Sequence, residues 1–265
     1  MAAAEKKISG TREWAVANID CCTGCSHGCK YCYARYDNVV KCGVLSNSEW
    51  SRPQLRQEDT ERTFPLFAGP VMFPTTHDIL PEILDDCLTV IANLLHSGNR
   101  LLLVTKPHLK CIQEICTTFA DRKNQILMRF TITASDDSIL QFWEPGAPGF
   151  AERMQALQYA HAHHFETSIS VEPMLDSDHI TELVEALSPY VTHSIWLGKM
   201  NRIDERVDID SEKMKNEVAR ITASQKDFRI LEIYQKLKDN PLIRWKESIK
   251  QIVGLELAKE PGLDI

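Results

Sequence analysis

No apolar run in the chain approaches the roughly 20 residues that a membrane-spanning helix needs, which excludes a helical membrane protein. Its first residues, Met1 to Lys7, are too short and polar to read as a secretory signal. Nine cysteines without such a signal argue against a disulfide framework. They point to a reducing, cytoplasmic setting and to metal or thiol chemistry. Net positive charge is missing too. The 37 acidic and 30 basic residues give −7, so no global field draws nucleic acid or an anionic membrane, although a local basic channel stays compatible with that total. Internal repeats and low-complexity tracts are absent, and with them repeat architectures.

What is present is an ordinary globular composition, 43% hydrophobic and 25% charged, in 265 residues, enough for one α/β-barrel-sized domain. Strand-like stretches are predicted at 14–19, 71–73, 101–104, 126–133, 168–171 and 194–197, with helical patterns at 83–95, 109–119, 152–163 and 180–187. Leu101-Leu102-Leu103-Val104 is apolar throughout, as expected of a strand covered on both faces. This alternation predicts an α/β fold, a parallel sheet with helices outside, in six βα units, two short of a closed eight-unit barrel. The stretch 212–254 reads as further helices. The expected division is a partial barrel over 1–205 and a helical extension over 206–265 packed on it.

In parallel barrels the chemistry lies at the C-terminal strand ends. There the sequence places Thr75, Thr76 and Asp78, then Thr105 and Lys106, Thr131 and Thr133, Glu172, and Gly198 with Lys199. Asp78 also reads as a cap for a helix beginning near Pro81. Thr131 and Thr133 alternate with Ile132 and are expected to share one face.

The densest signal follows the first strand. Cys25-Ser26-His27-Gly28-Cys29-Lys30-Tyr31-Cys32 carries three cysteines at spacings of four and three. Thiolates from one short loop suit an iron–sulfur cluster, and three ligands leave one iron of a [4Fe–4S] cluster open to chelate a small molecule. The competing reading is a structural zinc site, with Cys21, Cys22 or Cys42 as fourth ligand. Such sites favour paired Cys-x-x-Cys knuckles, and only Cys29/Cys32 form one here. Cys87 falls on an apolar helix face, and no second cysteine-rich motif suggests another cluster.

The loop resembles the cluster motif of the radical S-adenosylmethionine (radical SAM) superfamily, and more narrowly that of the spore photoproduct lyase family. The resemblance extends from Cys25 to about Pro173. Thr75-Thr76-His77-Asp78 resembles the Thr-Ser-Asp run after that family's second strand. Leu103-Val104-Thr105-Lys106 resembles its third strand, and Phe130-Thr131-Ile132-Thr133 its fourth. Trp143-Glu144-Pro145-Gly146 with Arg153 resembles its Glu-Pro-Gly segment and the following arginine.

The resemblance implies a six-unit partial barrel and two cofactors, a [4Fe–4S] cluster on Cys25, Cys29 and Cys32 and S-adenosylmethionine (SAM) on its open iron. It implies that Tyr31 meets the adenine, that Lys106 contacts the SAM carboxylate, and that Thr131 and Thr133 face SAM beside Thr75 and Thr76. Glu172 is expected at ribose or substrate, and Glu144 and Arg153 as a structural salt bridge. It also implies an enzyme that cleaves SAM with an electron from an external one-electron reductant and abstracts hydrogen from a substrate. That substrate is left open among nucleic acid, peptide and small metabolite, with no membrane partner; an accessible mouth suits a larger one. One departure stands out. The lyase family has a hydrogen-returning cysteine just before its Thr-Ser-Asp run, and this chain has Phe73-Pro74 there, so a lesion lyase of the same thiol-quenched type is not expected. The readings carried forward are a radical SAM enzyme, a nucleic-acid-lesion lyase related to that family, and a non-enzymatic zinc-binding interaction protein.

Overall fold

The structure, a computed structural model, describes residues 8–264; the polar stretch Met1 to Lys7 read above lies outside them. Seven parallel strands form one sheet in the order β1 (Ala17–Asn18), β4 (Val71–Phe73), β5 (Leu101–Thr105), β6 (Ile126–Thr131), β7 (Glu166–Val171), β8 (Ser194–Leu197) and β9 (Ile243–Trp245). A two-stranded antiparallel ladder, β2 (Cys22–Thr23) with β3 (Gln54–Leu55), stands apart. Helices Leu84–His96, Leu109–Thr118, Phe150–Ala162 and Ile180–Leu187 connect successive strands of the sheet. No helix among the described residues is long and apolar enough to cross a membrane.

The strand count is one above expectation because Ile243–Trp245 lies in a stretch read as helical. A three-residue run is too short to show a period, and only pairing with β8, Leu197 opposite Trp245, makes it a strand. The first strand shrinks in the other direction. Gly10–Glu13 is a 3₁₀ turn, and Trp14 is buried inside the barrel without belonging to a strand.

Period-2 alternation separates two cores. Leu101 and Leu103 face outward into the main core beneath the helices, whereas Leu102 faces inward with Trp14, Met72, Leu127 and Trp196. On Leu84–His96 the buried face is Cys87, Val90, Ile91, Leu94 and Leu95. Each such aliphatic side chain contributes about 1.5–3 kcal/mol on full burial. Between the indoles of Trp14 and Trp196 lies the fully buried Arg129. Its guanidinium carbon is 4.4 and 5.4 Å from their ring centres, and its Nε donates to Ser168 Oγ at 3.0 Å. Burial pushes that guanidinium down to about 9. This stack floors a cavity whose walls are the C-terminal ends of the strands.

Candidate functional site

Cys25, Cys29 and Cys32 line one cavity of about 840 Å³ together with Tyr31, Thr75, Thr76, Lys106, Thr131 and Glu172. The cluster loop is pinned at both ends, Cys25 N–H donating to Trp50 O at 2.8 Å and Lys30 N–H to Trp143 O at 2.9 Å. Gly28 turns the loop at φ +62°, a conformation glycine adopts without steric cost. Cys32 caps the short helix Tyr33–Arg35, its Sγ accepting from Arg35 N–H at 3.4 Å. All three thiols are unbridged. Burial pushes the Cys25 thiol up to about 12 and raises those of Cys29 and Cys32. Three thiols facing one cavity, two buried and Cys32 half-buried, fit a cluster, because metal coordination replaces the protons that burial otherwise retains. Cys21 and Cys22 are buried away from this lining, and Cys42 is exposed, so none of them completes a four-cysteine zinc site here.

Asp78 organises the wall beside the loop. Its carboxylate accepts from Thr105 Oγ1 at 3.0 Å and Lys106 N–H at 2.6 Å, and lies 2.9 Å from His27 Nδ1 and 3.5 Å from Lys106 Nζ. Burial opposes its ionisation, but Lys106 and His27 outweigh that and hold the carboxyl well below its usual range. Asp78 therefore tethers β5 to the cluster loop and does not cap the helix after Pro81. His27 adds its second nitrogen to His108 Nε2 at 2.9 Å. Cys25 Sγ, His27 and Asp78 lie within 4.8 Å of one another. Both His27 nitrogens are already engaged, so the trio lacks a free imidazole ligand. Lys106 points inward, its side chain 12% exposed and its ammonium 5.9 Å from the Tyr31 ring centre. Burial alone lowers its affinity for the proton; Asp78 and the acidic groups around it reverse that and raise it well above normal.

Beneath this wall Glu144 and Arg153 form a fully buried ion pair at 2.5 Å. Arg153 also donates to Pro148 O and Thr131 O, and Glu144 accepts from Tyr31 OH and from Thr133 Oγ1. Thr131 thus reaches the cavity while Thr133 is fully buried and occupied by Glu144, outside the lining. Thr133 lies past the end of β6, where alternation no longer sets its direction. The glycine of Glu-Pro-Gly has a steric reason. A Cβ on Gly146 would stand 2.3 Å from Ser26 O, and its N–H donates to His27 O at 2.9 Å.

The opposite wall comes from the chain's two ends. The segment 8–14 crosses between the sheet's edge strands: Thr11 Oγ1 accepts from Asn18 on β1, and Lys246, next to β9, donates to Gly10 O at 2.8 Å. Lys246 is fully buried, 2.7 Å from Glu13, 3.6 Å from Glu172 and 3.9 Å from the centre of the Trp14 ring. Burial pushes the Glu13 carboxyl up to about 8 against the pull of Lys246, and raises that of Glu172 as well. From outside, Gly262 and Asp264 N–H groups donate to Arg12 and Glu13 carbonyls. Arg12, Lys199, Arg202 and Arg206 also line this side. The side of the barrel is therefore closed by this strap, while the cavity keeps its mouth at the C-terminal strand ends.

Sequence reasoning missed His27, Glu13, Trp14, Arg206 and Lys246. His27 sat in plain view inside the cysteine loop. Lys246 and Glu13 are 233 positions apart in a pairing no local pattern encodes.

No family model and no curated protein matches the chain. Among solved structures, it resembles a doubly substituted spore photoproduct lyase with SAM and a dinucleoside spore photoproduct bound: TM-score 0.56, 14% identity, 92% of this chain and 79% of the lyase. Another substituted form of that lyase matches at TM-score 0.54 and 16% identity, over 91% and 79%. SuiB of Streptococcus suis matches at TM-score 0.51 and 8% identity, over 93% of this chain and 53% of SuiB, so the chain spans about half of that protein. At these identities the likeness is one of fold: a partial parallel βα barrel like those of spore photoproduct lyase and SuiB.

Proposed function

We propose that the chain is a radical SAM enzyme, with Cys25, Cys29 and Cys32 holding a [4Fe–4S] cluster and SAM seated against Lys106, Thr131 and the Tyr31 loop. The observation that carries this reading is the convergence of three unbridged thiols and an inward ammonium on one cavity at the C-terminal strand ends. When bound and reduced by an external one-electron donor, the cluster would supply reductive cleavage of SAM to methionine and a 5′-deoxyadenosyl radical that takes hydrogen from a substrate. The chain's own part is positional. Asp78 holds Lys106 aimed into the cavity, where its ammonium is set for a charge-assisted bond to a carboxylate. Glu144 and Arg153 lock the loop that carries Tyr31. Trp14 and the strap exclude water from below and from the side.

Within this class, a thiol-quenched lesion lyase is disfavoured. Phe73 and Pro74 precede Thr75, and among the described residues the cavity lining holds no cysteine besides the three of the loop. The test is anaerobic reconstitution with iron and sulfide, then SAM and dithionite. About four irons per chain and release of 5′-deoxyadenosine support the reading. About one zinc per chain with no nucleoside released supports the interaction-protein alternative and defeats it.

A further inference from the structure

The cavity, about 840 Å³, runs from the cysteine loop to the strap, so residues well outside the proposed SAM wall line it too. The two sides differ in charge satisfaction. Near the loop every buried charge is paired, Lys106 with Asp78 and Arg153 with Glu144. On the strap side Lys199 and Arg202 have exposed partners, Asp227 and Glu205. Arg206 has no ion-pair partner among the described residues, and its Nε is buried with nothing bonded to it. Its backbone is fixed by Arg35, which donates to Arg206 O at 3.2 Å, and its guanidinium carbon lies 5.9 Å from the centre of the Tyr33 ring. Burial, then Arg202, lowers its affinity for the proton, the signature of a cation short of an anion. Arg12 adds a second lining cation. Glu247, another lining residue, is already engaged with the strap: its N–H donates to Glu13 Oε2 at 3.1 Å, and the two carboxyls are hydrogen-bonding neighbours.

We propose that this half of the cavity takes a phosphorylated small molecule, its phosphate on Arg206. Guanidinium matches phosphate through paired N–H donors, and several cations in one wall suit a dianion better than a monocarboxylate. The strap over 8–14, pinned by Lys246 and by 262–264, limits the ligand to metabolite size and excludes a polymer threading across the barrel. The inference rests on the reading above for SAM's place but tests a different wall.

The experiment measures binding to the full chain, cluster-loaded with SAM and again cluster-free, using inorganic phosphate, ribose 5-phosphate, ribose and a dodecameric oligothymidylate as probes. Ribose 5-phosphate should bind more tightly than ribose, with inorganic phosphate competing. Arg206→Gln should weaken it about tenfold, Arg206→Lys should restore part, and SAM affinity and iron content should not move. Equal binding of ribose and its phosphate, loss of SAM affinity in place of phosphate affinity, or an oligothymidylate preferred over the monomer each overturns the proposal. Phosphate binding by the cluster-free protein keeps this outcome separate from failure of the radical SAM reading.

Discussion

The two walls of the cavity are built by opposite strategies. The loop-side wall draws its polar groups from Cys25 to Arg153, and its buried charges are satisfied internally: Asp78 by Lys106 and His27, Glu144 by Arg153 and Tyr31. The strap-side wall joins residues from 9 to 14 with residues from 199 to 251 and leaves Arg206 Nε without a partner. A wall whose buried charges are paired internally suits a fixed cofactor. A wall with an unspent donor gains by binding something else, because a buried polar group without a partner costs about 1–3 kcal/mol.

The contrast breaks most sharply at the cysteines. Alanine at Cys25, Cys29 or Cys32 should abolish iron loading and 5′-deoxyadenosine release, while Cys21→Ala and Cys42→Ala keep both. Iron analysis and visible absorbance after reconstitution read the outcome, and loss of iron in the Cys21 variant alone would move the cluster elsewhere.

The next effect is on stability. Removing one partner of a buried pair leaves an uncompensated charge at a cost of about 3–5 kcal/mol, so Arg153→Met should lower the unfolding free energy by about that much. Substituting Arg12, which has no ion pair among the described residues, should stay within about 0.5 kcal/mol. Denaturant melts compare them; equal effects would erase the distinction between a satisfied wall and an open one.

Lys106→Ala should then weaken SAM binding by about 10–100-fold, the loss of one hydrogen bond to a charged group, about 1.5–3 kcal/mol. Iron content should be retained. Unchanged SAM affinity would remove Lys106 from the cofactor wall.

A further effect lies in the strap and is read through pH. Glu13 has a folded pKa raised to about 8 from an ordinary 4.5. A carboxyl raised on folding stabilises fully below its unfolded pKa, and that contribution is lost as pH rises through the folded value. The strap should therefore loosen between about pH 4.5 and 8, and Glu13→Gln should flatten stability over that window. Urea midpoints at pH 5 and pH 8 read it. A wild-type protein equally stable at both would contradict the buried acid.

The walls also differ in legibility. Cys25, Cys29 and Cys32 announce themselves by spacing, and Lys106 and Thr131 by following apolar strands, because short-range patterns encode strand ends. Glu144 and Arg153, nine apart, were expected as a salt bridge and form one. Thr133 was misplaced because strand alternation was carried past the end of the strand. The seventh strand was invisible because three residues show no period, and with it went Lys246, whose contacts with Gly10 and Glu13 depend on β9 forming the sheet's far edge. Arg206 carries no sequence signal: its meaning lies in the partner it lacks.

The central claim is that the three-cysteine loop presents an open iron to SAM across from Lys106. Electron paramagnetic resonance of the dithionite-reduced, reconstituted protein tests it most directly. The account predicts a [4Fe–4S]⁺ spectrum whose g-values shift when SAM is added, with the shift requiring higher SAM in Lys106→Ala. A cluster spectrum indifferent to saturating SAM, or no cluster spectrum at all, would contradict it.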